Sequence, residues 1–410
     1  MSINLIHVSD IHFGSGESHG RLNPETGLNV RFEDFVRALK KTVDYAIDSR
    51  VDVFLFSGDA YRNASPEPVY QKAFAEQLKR LSDAGIKIVV LVGNHDQILK
   101  STASHSMSVF QSLEVPNLTV IDSPCLVRLE TARGAMQLIG IPHVTRHLVM
   151  THEKYASLTN AQTDRLLVSH ISTILCQLYD ELDASLPTVV TAHMMLEQAR
   201  AGVEQELMIG YSMSFPLDIF LDERVDYVAL GHVHRHQVLR ESCPAVVYAG
   251  SLERVDFGEA DEDKGFLHVR LARRNTQYEF HSLSPRPFIS LDADLTSSES
   301  PTDRLSKLIS RALIAGCVLR VRYKVRQDQL PEIDEGKLRC LAQEALSVQF
   351  RPEVVMVQRD FRMPQLNESA VLCPLAALET YLEQMAPERK DILLRRAREL
   401  GSRLQAEEPE

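Results

Sequence analysis

Five short polar motifs, each following an apolar run, hold the residues of greatest chemical interest in this chain. They are Asp10-Ile11-His12, Gly58-Asp59, Gly93-Asn94-His95-Asp96, the single His193, and Gly231-His232-Val233-His234. Their donors are carboxylates, imidazoles and one amide, with no thiolate. Such a set suits two adjacent divalent ions, manganese, iron or magnesium more than a soft metal, although zinc also fits. A paired-metal centre points to phosphoester hydrolysis. Asp59, anionic and able to bind through both oxygens, is the natural bridging ligand. Asp10 and His12, two apart on an extended segment, would face one side and serve a first ion, and His232 and His234 share that spacing. Asn94 offers a neutral oxygen where added negative charge would repel a phosphate. His95 is the candidate proton donor or stabiliser of the leaving oxygen. Asp96 completes the catalytic pair by orienting His95 or a ligand from behind. Singly, Asp-x-His, Gly-Asp and one histidine are commonplace; the two longer blocks and the order of all five carry the reading.

These motifs need a scaffold that gathers strand ends, and the sequence supplies one. Asn4–Ser9, Val51–Ser57, Lys87–Val92, Met136–Ile141, Thr188–Ala192, Tyr227–Leu230, Val246–Ala249 and Phe266–Leu271 read as buried strands. Phe32–Ile47 and Pro68–Leu81 carry apolar residues at helical spacing, and 145–182 reads as a helical insertion covering a sheet face. In α/β sheets, ligands gather at the carboxyl ends of strands. The expectation is a layered α/β fold, with a phosphoesterase domain over 1–285 and a break at Ser282-Leu283-Ser284-Pro285-Arg286-Pro287. A small α/β unit over 286–360 follows, with helices at 303–315 and 336–346 and strands at 318–326 and 353–358. The tail, 361–410, reads as helical at 374–385 and 388–405.

Composition narrows the class. With 410 residues, 44% hydrophobic, the chain can bury a large core. Six scattered cysteines without a CxxC pair suit reduced thiols better than a disulfide framework or zinc ribbon. The start of the chain lacks the basic flank and cleavage site of a signal peptide. No apolar run reaches the length of a membrane span. The expectation is a soluble intracellular protein with no membrane partner. A net charge of -11 argues against bulk attraction to nucleic acid. Part of that charge sits in the metal-ligand candidates and the acidic end, so a DNA substrate is not excluded.

The blocks resemble the calcineurin-like metallophosphoesterase superfamily. Within it, Ile6-His7-Val8-Ser9-Asp10-Ile11-His12-Phe13-Gly14, Tyr227 to His234, Val247-Tyr248-Ala249-Gly250-Ser251-Leu252-Glu253-Arg254 and Phe257-Gly258-Glu259 before Lys264-Gly265-Phe266 are similar to the SbcD-type nuclease subunits. The resemblance implies a two-sheet metallophosphoesterase sandwich flanked by helices, with a small α/β capping, DNA-binding domain and a helical, partner-binding tail. It implies that Asp10, His12 and His234 hold one metal, Asn94, His193 and His232 the other, that Asp59 bridges, and that His95 acts on the scissile phosphate. It further implies manganese as the usual ion, and 3′-to-5′ exonuclease action on duplex ends with cleavage of single strands and hairpins. A homodimer, an SbcC-like coiled-coil ATPase partner in break repair, and a cytoplasmic, nucleoid-associated location complete the expectation. Arg62 departs from archaeal and eukaryotic relatives, which carry histidine there. It reads equally as a phosphate or strand contact and as a solvent-facing cation.

Outside the metal motifs, Arg320, Arg322, Lys324 and Arg326 fall on one face of a strand. They read as a DNA-backbone stripe or, with somewhat greater weight, as a charged edge that prevents aggregation. Leu393, Ala397, Leu400 and Leu404 form an apolar stripe on the last helix, for self-docking or a partner. No GxxxxGK[ST] loop is present, so any ATP-driven step belongs to a different protein. Two other readings remain: a cyclic nucleotide-type phosphodiesterase with the same core, and a non-catalytic DNA-end-binding scaffold.

Overall fold

The computed structural model describes residues 2–97, 104–146, 158–200, 202, 213–355, 374–385 and 389–406. In chain order the first half comprises β1 (Ile3–Val8), α1 (Val30–Asp48), β2 (Val53–Phe56), α2 (Pro68–Asp83), β3 (Lys87–Leu91), α3 (Ser108–Ser112), β4 (Leu118–Ile121), β5 (Cys125–Thr131), β6 (Gly134–Ile141) and α4 (Asn160–Asp180). Then come β7 (Thr188–His193), the short pair β8 (Met195–Leu196) and β9 (Ser214–Phe215), β10 (Tyr227–Gly231), β11 (Gln237–Arg240), β12 (Ala245–Tyr248), β13 (Gly265–Leu271) and β14 (Gln277–Ser282).

Two six-stranded sheets result, in the orders β14-β13-β1-β2-β3-β4 and β11-β12-β10-β7-β6-β5. Strands β1 to β4 pair in parallel, as do β6, β7, β10 and β12, so their carboxyl ends share one side of each sheet. Alternation along each strand sets the layers. Leu5, Leu55 and Val89 pack with Leu138, Val189 and Ala229 in the sandwich interior. Ile6, Phe54 and Val90 point the other way, onto Phe35 and Leu39 of α1 and Phe74 and Leu78 of α2. Across the second sheet, Val190 and Val228 meet Ile171, Leu175 and Tyr179 of α4. The α/β, two-sheet sandwich flanked by helices is therefore present.

The helices begin where local chemistry directs. The Asn29 side chain accepts from Arg31 N at the start of α1, Pro68 opens α2, and Thr159 with Gln162 forms a capping box on α4. The expected 145–182 helix is shorter, and 147–157 lie outside the described residues.

After β14 follow β15 (Phe288–Asp294), α5 (Pro301–Arg311), β16 (Val318–Arg326), α6 (Glu335–Leu341), β17 (Ser347–Val355), α7 (Pro374–Met385) and α8 (Lys390–Ala406). A three-stranded sheet has the order β15-β16-β17. The last of these strands starts six residues before the expected 353–358, and 356–358 lie outside the described residues. The chain divides into two compact units, Met1–Asp292 with Leu305–Arg322 and Glu335–Arg351, and Ala293–Arg304 with Tyr323–Asp334 and Pro352–Glu410. Among the described residues, no helix is long and apolar enough to cross a membrane.

Candidate metal centre

The strand ends converge because their loops are laced together by backbone hydrogen bonds. Asp10 N donates to Gly58 O at 2.9 Å, His12 N to Asp59 O at 3.1 Å, and Ser57 N to Val8 O at 2.8 Å. The chain is not extended at Asp10 and His12. Both take φ 53°, Asp59 takes 60° and His232 takes 96°, all in the left-handed region that L-residues avoid. Two glycines make the approach possible. A Cβ on Gly58 would lie 2.2 Å from His193 Nδ1, and one on Gly93 would lie 2.1 Å from Asp59 Oδ1.

All seven expected ligands come together. Asp10, His12 and His234 form one group, and Asp59, His193 and His232 another, each with donor atoms within 4.8 Å of one another. His12, Asp59 and His95 form a third such group. Asp59 thus belongs to two groups, with its Oδ2 3.6 Å from His12 Nε2 and 3.1 Å from His193 Nε2. Asn94 Oδ1 lies 3.0 Å from His193 Nε2 and 2.9 Å from His232 Nδ1. The turn at His232 parts it from His234, so the two histidines of one motif join different groups.

Tautomers can be assigned from the partners of the other ring nitrogens. His193 Nδ1 donates to Ser57 O at 2.7 Å, which leaves a lone pair on Nε2 in the neutral ring, facing two oxygens. His234 Nδ1 donates to Glu259 Oε1 at 2.9 Å, so its Nε2 lone pair faces His12 Nε2 at 2.8 Å. Lone pairs crowded this closely repel unless a proton or cation lies among them. The buried charge agrees. Burial pulls the His193 pKa down, but the Asp59 carboxylate more than offsets it and the value rises to about 9. Burial pushes the Asp59 carboxyl up, yet the His193 charge and hydrogen bond hold it well below the usual range. These residues fit a pair of cations.

His95 is exposed at the rim. Its backbone N–H donates to Asp59 Oδ1 at 2.9 Å and its Nδ1 to the Arg62 carbonyl at 2.8 Å. Arg62 therefore meets the site through its backbone, while its side chain is exposed. Asp96 braces a ligand candidate and not the His95 ring. It accepts from Asp59 N at 3.0 Å, Gly93 N at 3.1 Å and Ser106 Oγ at 3.1 Å. Burial, then the Asp59 charge, pushes its pKa up to about 6.

The cations on β16 lie outside these groups, each with a partner. Arg322 makes two bonds to Asp292 (2.6 and 3.0 Å), Lys324 faces Glu353 at 3.7 Å, and Arg326 makes two bonds of 3.0 Å to Asp328. Arg320 sits 4.0 Å over the Phe257 ring.

Two residues escaped the sequence reading. His143, just past the end of β6, donates from Nδ1 to His193 O at 3.2 Å and packs its ring 5.6 Å from His232. The strand-end rule applied to Met136–Ile141 would have found it. Glu259 stands in the Phe257-Gly258-Glu259 stretch, where no apolar run marks it.

Residues 3–236, more than half the chain, match the calcineurin-like phosphoesterase family. The chain belongs to that family. This phosphoesterase is 25% identical over 352 residues to the uncharacterized metallophosphoesterase YhaO of Bacillus subtilis, covering 82% of this chain and 75% of that one. It is 25% identical over 273 residues to the SbcD component of the nuclease SbcCD of Escherichia coli, covering 65% and 64%. It is 26% identical over 328 residues to the DNA double-strand break repair protein Mre11 of Haloferax volcanii, covering 80% and 59%. It thus spans three quarters of the first relative but less than two thirds of the other two. The family fold implies a phosphoester hydrolase with a di-metal centre, and the three donor groups are this phosphoesterase's candidates for it.

Proposed function

We propose that this phosphoesterase is the metal-dependent DNA nuclease subunit of a break-repair complex, acting on duplex ends in the 3′-to-5′ direction and on single strands and hairpins. The observation that carries the reading is Asp59 shared by two donor groups with exposed His95 beside it. The nuclease and break-repair relatives support DNA as the substrate. In this reading Asp10, His12 and His234 hold one ion, Asn94, His193 and His232 the second, and Asp59 both. Manganese is the ion proposed. The pair would neutralise charge developing on the phosphate and activate water. Asp96 keeps Asp59 in place through its backbone N–H. His95, braced at Nδ1 by Arg62 O, presents Nε2 to the scissile phosphate, and the exposed Arg62 side chain would contact the strand.

The 286–360 segment is proposed as the capping, DNA-binding unit. The tail would dock an ATPase partner: on α8, Leu393 and Leu400 are 41% and 56% exposed, leaving an apolar stripe available. The test is degradation of end-labelled duplex and hairpin DNA with and without manganese, with a cyclic nucleotide as control substrate. His95→Ala is expected to keep metal and lose at least ~10²-fold in rate. Asp59→Ala should lose metal too. Hydrolysis left intact in the His95 variant refutes its role; turnover of the cyclic nucleotide with inert DNA refutes the nuclease.

A further inference from the structure

Glu259 lies on the short turn Phe257–Glu259, outside the five motifs, and is only 3% exposed. Its two carboxylate oxygens have separate tasks. Oε1 accepts from His234 Nδ1 at 2.9 Å. Oε2 accepts from Val255 N at 2.8 Å and faces Lys264 Nζ at 3.0 Å. Lys264, fully buried, also donates to the His234 backbone carbonyl at 2.9 Å and to Glu262 at 2.9 Å. His234 is therefore gripped at ring and backbone by one ion pair.

The turn itself is fixed. Phe257 meets Phe288 edge-on at 5.0 Å and His19 at 5.4 Å, under the Arg320 guanidinium. His19 is in turn bonded by Gln349 at 3.0 Å and by Ser347. Glu259 thus sits on a turn that is also held by contacts outside the His234 loop.

A carboxylate behind an imidazole fixes the proton on the near nitrogen and directs the far lone pair. We propose that Glu259 is a positioning residue for the ion of the Asp10, His12 and His234 group, setting the ring angle and tautomer of His234. The proposal rests on the two-metal reading above and adds a selectivity to it. Loss of Glu259 should weaken one ion and spare the other, because no bond from Glu259 reaches Asn94, His193 or His232.

Calorimetric titration of the full chain with manganese provides the test, with circular dichroism to confirm folding. In Glu259→Ala, one of two manganese affinities is expected to fall ~10- to 100-fold and the other to change by less than ~3-fold. His232→Ala, which removes a donor of the opposite group, should weaken the other site and so tell the two apart. Glu259→Gln keeps an acceptor for Nδ1 and should retain most of the affinity. The double variant Glu259→Ala, Lys264→Met removes the stranded cation; persistence of the loss there supports positioning. Recovery in the double variant, equal weakening of both sites, or a Gln variant as poor as Ala would overturn it. A wild type that binds fewer than two ions would instead bring down the metal reading itself.

Discussion

Gly58→Ala puts the most direct strain on the centre. The added Cβ would sit 2.2 Å from His193 Nδ1 and 2.8 Å from its Cγ, against the ~3.5 Å of an ordinary carbon contact. The ring cannot swing away cheaply, since Nδ1 is bonded to Ser57 O and Nε2 lies 3.1 Å from Asp59. The backbone is equally fixed, because Gly58 O accepts from Asp10 N. Overpacking of this kind costs ~1–3 kcal/mol. The alanine would also have to hold φ +102°, worth a further ~1–3 kcal/mol of strain. The expected loss is ~2–6 kcal/mol in denaturant unfolding, together with loss of the ion at the Asp59, His193 and His232 group. Gly85→Ala is the control. Its φ is +75° but nothing lies within 4 Å of the new Cβ, so only the backbone cost of ~1–2 kcal/mol applies. If the two variants unfold within ~0.5 kcal/mol of each other and both bind two ions, the packing reasoning is wrong.

Three further outcomes follow from ion pairs away from the centre. Asp34 is buried and accepts from Arg31 at 2.6 Å, from Arg286 at 2.5 and 2.6 Å and from Arg37 at 2.9 Å, so Asp34→Ala leaves a fully buried Arg31 with only Glu253 at 3.4 Å and the Arg254 carbonyl, and should cost ~3 kcal/mol. Burial raises the Asp34 pKa, but the hydrogen bond from Arg286 and the three guanidinium charges hold it below its ordinary value. A folded value below the unfolded one stabilises above the unfolded pKa and is lost as pH falls through the folded one. The wild type should therefore lose more stability than Asp34→Ala on acidification below about pH 4, measured by urea midpoints. Arg322 is already bonded twice to Asp292, so Arg322→Ala should leave the salt dependence of DNA binding unchanged; a slope lower by about one would make it a phosphate contact.

Much of this arrangement was legible because central parallel strands are buried on both faces and appear as unbroken apolar runs. Val53–Phe56, Lys87–Leu91 and Tyr227–Gly231 announce themselves this way, and the polar motifs at their ends follow. The strands at or near the sheet edges did not. Leu118–Ile121, Cys125–Thr131, Gln237–Arg240 and Gln277–Ser282 are mostly half-buried or exposed and lack an unbroken apolar run. Period-two spacing was a poor guide at the motifs themselves, since Asp10, His12 and His232 leave the extended region. Glu259 was hidden for a different reason: its partner, His234, is 25 residues away, and only the fold joins them.

The left-handed residues bear on how the centre behaves when metal is removed. A non-glycine residue at such φ costs ~1–2 kcal/mol, so Asp10, His12, Asp59 and His232 together store ~4–8 kcal/mol. Each is held by protein contacts. Asp10 N donates to Gly58 O, His12 N to Asp59 O, Asp59 N to Asp96, and His232 N to both Asp10 oxygens at 3.1 and 3.0 Å. These bonds tie the strained loops to one another just past the ends of β1, β2, β3 and β10, so the protein's own hydrogen bonds bear the strain and the donor positions are preset. Chelation should then leave the circular dichroism unchanged. It should lower stability only by the linkage term, about 2.7 kcal/mol per ion at a free concentration ~100-fold above Kd. A cooperative loss of sheet signal on chelation, or a drop far beyond that term, would show that the ions shape the loops and that the hydrogen bonds do not.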